Sequence, residues 1–195
     1  MSFSQLLSRD FDAYIFDCDG TLADTMGLHY EAWKLALAPH GADLQEDLYY
    51  QWGGRPTREI VELLNEMQGL SMDAEAIVHI KEGLYFDLLP GVQPIQRVVD
   101  FAYSLYGKKP IAVASGGGRK SVRSTLEGLG LIHLFPVIVT SEDYANGKPA
   151  PDPYLEAARQ LGVDPTKCVV FEDTEIGCQS ATAAGMEFVL VDSKK

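Results

Sequence analysis

The sequence predicts an α/β fold, a parallel sheet with helices on both faces and an all-α segment inserted after the first strand. Three observations predict it. Short apolar, β-prone runs alternate with helix-like segments through the second half of the chain, which is the pattern of βα units. Residues 24–90 interrupt that alternation with helical patterns alone. Polar clusters follow four of the apolar runs, at the strand ends where open parallel sheets gather ligands.

The first run, Ala13–Phe16, leads into Asp17-Cys18-Asp19-Gly20-Thr21. Strand periodicity turns Asp17 and Asp19 to one side and Cys18 to the other, toward the core. Two like charges that close are costly away from water. A bound cation, or chemistry that keeps one carboxyl protonated, relieves that cost; a turn whose acids cap the next helix is the plainer alternative. Helices are then expected at Leu28–Ala38, Asp43–Trp52, Thr57–Met67 and Asp73–Leu89, with Pro39 to Gly41 and Gly53-Gly54 as breaks. Hinge-like segments lie at Asp24-Thr25 and Leu89-Pro90-Gly91, so 24–90 forms one unit and 1–23 with 91–195 the other. Beyond it, helices at Val92–Tyr106, Gly118–Gly128, Pro153–Leu161 and Glu175–Ala184 alternate with strands at Ile111–Ala114, Val137–Thr140, Val169–Phe171 and Phe188–Val191.

Composition narrows the function classes. A chain of 195 residues, 46% hydrophobic and 23% charged, suits one domain carrying a smaller insertion. Met1–Asp10 lacks the basic start and apolar core of a secretory signal, and no apolar stretch is long enough to span a bilayer. Three cysteines, odd in number and without zinc-like spacing, indicate a reduced, cytoplasmic setting. The net charge of -12 argues against nucleic-acid and acidic-membrane partners. With no coiled coil or exposed apolar stripe, a monomer is expected.

Each strand end delivers one ingredient of a phosphate site. Ser115-Gly116-Gly117-Gly118 follows the second strand; its backbone N–H groups and the helix start behind it suit an anion, and Ser115 can donate its hydroxyl. Lys148, in Asn146-Gly147-Lys148-Pro149 after the third strand, brings a compact positive charge. Glu172-Asp173 follows the fourth strand with the hard oxygen ligands that Mg²⁺ prefers, or with helix-capping acids.

The order DxDGT, strand-Ser-Gly, GKPAPDPY and FEDTEIG, running from Asp17 to Gly177, resembles the haloacid dehalogenase superfamily. The chain is most similar to its branch of β-phosphoglucomutases and small sugar-phosphate phosphatases. The resemblance implies a Rossmann-like core with a helical cap, and a division of labour among the motif residues. Asp17 is then the nucleophile of an aspartyl-phosphate intermediate. Asp19 is the acid and base, a role that needs a raised pKa. Ser115, the Gly116 amide and Lys148 stabilise phosphoryl oxygens. Mg²⁺ is held by Asp17, Asp173 and the Asp19 carbonyl, with Glu172 a direct or water-mediated ligand.

In the cap, Arg55 matches an arginine that grips a second anionic group, and His29 a histidine near the hinge. Lys81 matches a lysine pointing at the sugar, against the alternative of a solvated helix lysine. Trp33 fits the same pattern, although packing is the commoner role of a helical tryptophan. Arg58 reads as helix surface, and His40, His79 and His133 as surface or packing residues. The expected activity is Mg²⁺-dependent hydrolysis of small sugar phosphates such as fructose 1-phosphate. A β-phosphoglucomutase is the alternative, and a non-catalytic sugar-phosphate-binding regulator the reading from another class. The glycine-rich Ser115–Gly118 loop and the short tail after Val191 favour the phosphatase.

Overall fold

A computed structural model describes residues 9–192 of the chain. Met1–Ser8 and Ser193–Lys195, on which the signal-sequence expectation for Met1–Asp10 and the outer ends of the 1–23 and 91–195 unit fall, lie outside the described residues. Strand β1 is Ala13–Phe16. Four helices follow without a strand between them: α1 Met26–Leu37, α2 Glu46–Gln51, α3 Thr57–Gln68 and α4 Ala74–Leu88. The chain then alternates α5 Gln96–Leu105, β2 Ile111–Ala114, α6 Arg119–Gly128, β3 Val137–Val139, α7 Asp152–Leu161, β4 Cys168–Glu172, α8 Glu175–Ala183 and β5 Glu187–Leu190.

The five strands form one parallel sheet in the order β3-β2-β1-β4-β5. β1 lies at its centre, with Phe16 level with Val113 of β2 and Phe171 of β4. Both of its faces are buried, which is why it reads as an unbroken apolar run. Tyr14 and Phe16 enter one cluster with Val98, Ala102, Val122 and Leu126 of α5 and α6. Ala13 and Ile15 enter the other with Tyr154, Ala157 and Ala181 of α7 and α8. Helices therefore cover both faces, as the alternation predicts. Cys18 is buried in the first cluster, on the side away from Asp17 and Asp19.

The helical stretch has its own apolar cluster around Trp33, Leu37, Tyr49, Ile60, Leu64 and Ile77. Leu64 and Ile77 are almost fully buried there, and each such burial contributes about 1.5–3 kcal/mol relative to exposure. The stretch enters and leaves the core side by side. Asp24 N–H donates to the Gln93 carbonyl at 2.9 Å, and Ile95 N–H to the Leu22 carbonyl at 2.9 Å. That pairing holds residues 93–95 extended, so α5 begins at Gln96 instead of at Val92. Similarly, Asp43 N–H is held by Gln68 Oε1 at 3.0 Å, and α2 starts only at Glu46. No helix among the described residues is long and apolar enough to cross a membrane.

Candidate active site

Four strand ends converge. Asp17 follows β1 and its N–H donates to the Phe171 carbonyl at 2.9 Å, which sets it level with Glu172, the last residue of β4. Ser115 follows β2, Lys148 lies in the loop after β3, and Asp173 follows Glu172. The order of the strands puts β1 and β4 at the point where the chain switches direction across the sheet, where α/β sheets open a crevice.

Lys148 ties the acids together. It is fully buried, and its Nζ donates to Asp17 Oδ1 and to Glu172 Oε2, both at 2.7 Å. Burial alone pulls its pKa down, but Asp17 and Glu172 outweigh that and hold the ammonium charged. Glu172 has no oxygen to spare. Its Oε2 also accepts from the Tyr154 hydroxyl at 2.5 Å, and its Oε1 accepts from Thr174 N–H at 3.0 Å and Thr174 Oγ1 at 2.8 Å. Those four bonds fill the acceptor positions of a carboxylate. Burial opposes ionisation of Glu172, yet these partners hold its pKa below the ordinary value.

Asp17 and Asp173 are in the opposite condition. Burial first, then the neighbouring Glu172 and Asp19, push Asp17 up to about 8 against the pull of Lys148. Burial, Glu172 and Asp17 likewise raise Asp173. Asp17, Glu172 and Asp173 each bring an oxygen within 4.8 Å of the others. Two buried acids, Asp17 and Glu172, and the half-buried Asp173 around one lysine form a donor set of hard oxygens, which fits a divalent cation. With Glu172 filled by protein donors, Asp17 and Asp173 are the acids with oxygens to offer. Gly20 makes this approach possible: with φ at +82°, it sits where a Cβ would lie 2.1 Å from Asp173 Oδ2.

Asp19 departs from expectation. Its carboxyl was expected to be raised by Asp17, but it lies at about 2. Burial pushes it up, and contacts on the far side outweigh burial: Thr25 Oγ1 donates to Asp19 Oδ1 at 2.6 Å, and His29 Nε2 lies 3.0 Å from the same oxygen. Lys81 Nζ, 2.9 Å from His29 Nδ1, can only donate, so Nδ1 is the acceptor and Nε2 carries the hydrogen toward Asp19. Burial and Lys81 both lower the His29 pKa. Asp19 pulls the other way, and the net direction is down.

Lys81 is itself buried, at 4% exposure, which overturns the alternative of a solvated helix lysine. His29 stacks on Tyr85 at 3.9 Å and 10°, and Tyr85 bonds Thr125 of α6 at 2.7 Å. Together these contacts lock the α1–α4 side of the pocket onto the core.

A small cavity of about 70 Å³ lies between the helical stretch and the sheet end. Asp17, Asp19, His29, Arg55, Lys81 and the Ser115-Gly116 pair line it, with Lys148, Glu172 and Asp173 beneath or beside Asp17. Ser115 Oγ accepts from Gly117 N–H at 3.0 Å, leaving its hydroxyl hydrogen to donate. Arg55 is already paired with Glu59. Trp33 is buried in the helical cluster and also reaches the cavity wall. Arg58 pairs with Glu62 and Glu75 on the surface, and His40 and His79 are exposed, as expected. The helical stretch closes on the core at Gly116, where a Cβ would lie 2.4 Å from the Gly54 carbonyl oxygen.

Four polar residues of this site escaped the sequence reading: Thr21, Thr25, Tyr154 and Thr174. Thr21 donates to Asp173 Oδ1 at 3.3 Å. Thr21, Tyr154 and Thr174 stand inside the motif strings DxDGT, GKPAPDPY and FEDTEIG, so their place was visible there. Thr25 carried only its position at the hinge.

The family model for haloacid dehalogenase-like hydrolases matches residues 14–191. Fructose-1-phosphate phosphatase YqaB of Escherichia coli is 38% identical over 90% of this chain and 93% of that protein. A phosphorylated carbohydrates phosphatase of Thermotoga maritima is 32% identical over 90% of this chain and 82% of its own. The crystal structure of β-phosphoglucomutase from Clostridium difficile superposes with a TM-score of 0.80, at 26% identity, covering 93% of this chain and 85% of that one.

Proposed function

This chain belongs to the haloacid dehalogenase-like hydrolase family, and from that premise we propose that it is a Mg²⁺-dependent phosphatase of small sugar phosphates such as fructose 1-phosphate. One observation carries the reading. Asp17, buried at a strand end, has one oxygen tied to Lys148 and lies with Asp173 in a donor set facing the Ser115–Gly117 loop. The relatives named as phosphatases of fructose 1-phosphate and phosphorylated carbohydrates support the substrate class.

In this account Asp17 attacks phosphorus with the oxygen that Lys148 leaves free, the alcohol oxygen departs, and an aspartyl phosphate forms. Lys148 keeps this group oriented, and beside a divalent cation the raised Asp17 pKa would fall, so that the carboxylate forms for the attack. Ser115 Oγ–H and the Gly116 N–H donate to phosphoryl oxygens. Asp19 protonates the leaving oxygen and then removes a proton from the water that releases phosphate. Asp19 is ionised in the free protein. Its proton arrives with the anionic substrate, whose charge beside the carboxyl raises the pKa. Asp17, Asp173 and the Asp19 carbonyl, with Glu172 directly or through water, would hold a divalent cation, which would supply positive charge against the carboxylates and the phosphoryl oxygens. Residues 24–90 serve as the cap over a core of 1–23 and 91–195, and His29, Arg55 and Lys81 face the sugar.

The likeness to β-phosphoglucomutase gives a mutase as the second reading. The glycine-rich Ser115–Gly118 loop counts against it, because it offers a sugar few hydroxyl contacts. The test is product analysis with Mg²⁺ on fructose 1-phosphate and β-glucose 1-phosphate, with and without glucose 1,6-bisphosphate. Free phosphate from both esters is expected. Glucose 6-phosphate formed without free phosphate would establish the mutase.

A further inference from the structure

A second and larger cavity, about 620 Å³, lies between α4 and α6 and shares Thr57, Glu82 and Gly116 with the reaction pocket. None of the motif residues requires it. Its walls are apolar where Pro56, Val78, Gly83 and Phe86 face it, and polar where Ser121 and Ser141 do. Its carboxylates are already paired. Glu75 pairs with Arg58, Glu82 with Lys81 and Glu142 with Arg119. Lys120 sits 4.6 Å from the Phe86 ring centroid, and no salt bridge places a carboxylate on it among the described residues. A cleft with paired carboxylates, hydroxyls, one aromatic wall and a lysine able to donate to a ring hydroxyl suits a hydroxylated ring.

Gly83 bears on whether the space is meant to be open. It stands inside α4, where glycine weakens a helix. A Cβ there would meet nothing within 4 Å, so no packing contact demands the glycine. Its effect is to leave the cleft wall without a side chain.

Resting on the sugar-phosphatase reading, we infer that this cleft is a leaving-group subsite for a second, neutral sugar ring. The enzyme then takes phosphorylated disaccharides as well as single-ring esters. The phosphoryl group sits at Asp17, the first ring in the reaction pocket, and the second ring passes Thr57 and Glu82 into the cleft, against Phe86. The chemistry at phosphorus is unchanged: water hydrolyses the ester, and the disaccharide leaves with its hydroxyl restored.

The test compares kcat/KM for fructose 1-phosphate with that for trehalose 6-phosphate and lactose 1-phosphate, in the wild type and in Gly83→Leu, which projects a side chain into the cleft. Val78→Phe narrows the same cleft and stands in if Gly83→Leu does not fold. The wild type is expected to hydrolyse at least one disaccharide phosphate. The variant is expected to lose about ten-fold or more on that ester while keeping its fructose 1-phosphate activity. Equal losses on both substrates, no loss on either, or no wild-type activity on both disaccharide esters would overturn the inference. Should no ester be hydrolysed at all, the phosphatase reading fails by itself. Calorimetric binding of the same disaccharide phosphates to Asp17→Asn, with and without Gly83→Leu, then decides the cleft separately. Binding weakened by Gly83→Leu supports the subsite, and unchanged or absent binding rejects it.

Discussion

Replacing Gly116 with alanine probes the closure of the helical stretch on the core without removing a single polar group. The added Cβ would lie 2.4 Å from the Gly54 carbonyl oxygen and 3.1 Å from its carbon. Ordinary contacts of this kind begin near 3.4 Å. Both partners are backbone, so no side chain can rotate away, and the 53–56 loop must retreat by about 1 Å. The Gly116 N–H remains in place for the phosphoryl group, so the effect isolates geometry. A misplacement of about 1 Å costs on the order of 10²-fold in rate, or about 2.7 kcal/mol in the barrier. Stability should fall by about 1–3 kcal/mol, the cost of forcing a methyl group into a closed contact, with the cluster around Trp33 and Leu64 untouched. Steady-state hydrolysis of fructose 1-phosphate with Mg²⁺ measures the first quantity, and urea unfolding the second. Activity within about two-fold of wild type would refute the reasoning that this glycine contact sets the catalytic geometry.

Other perturbations address the buried charges. Lys148→Met leaves the Asp17 and Glu172 carboxylates without their shared cation; a loss of about 3–5 kcal/mol in urea unfolding is expected, together with turnover. Tyr154→Phe removes one donor to Glu172 and should cost about 1.5–3 kcal/mol, a loss read from the same unfolding curve. Lys81→Met should affect activity far more than stability, lowering kcat for fructose 1-phosphate while the α1–α4 packing persists; an unchanged kcat would show that the Lys81–His29–Asp19 chain is idle. Burial pushes the Asp143 carboxyl up, but hydrogen bonds from Arg119 and Thr140 outweigh it and hold the pKa below the ordinary range. The stability it contributes is complete above about pH 4 and fades as pH falls below that, so Asp143→Asn should flatten the acid limb of a stability–pH curve.

Most of the architecture was legible because it is local. β1 is apolar on both faces since it is central, and β2 and α6 end where Ser115 and Gly128 stop the pattern. The start of α5 was not legible, because Gln93 and Ile95 are held extended by Asp24 and Leu22, partners about 70 residues earlier. The candidate acids were visible as motif strings, but their protonation was not. Asp19 falls to about 2 through Thr25, His29 and Lys81, three residues that meet only once α1 and α4 pack together. Lys81 is buried for the same reason. Nor does any periodicity show that Tyr154 and Thr174 fill the oxygens of Glu172.

The central claim is that Asp17 attacks phosphorus, and the stereochemistry at phosphorus tests it most directly. Each in-line displacement inverts the phosphoryl group, so attack by Asp17 followed by attack by water is two inversions. Hydrolysis of a sugar phosphate made chiral with oxygen isotopes is expected to proceed with net retention of configuration. Net inversion would mean that water attacks the substrate directly and would contradict the account.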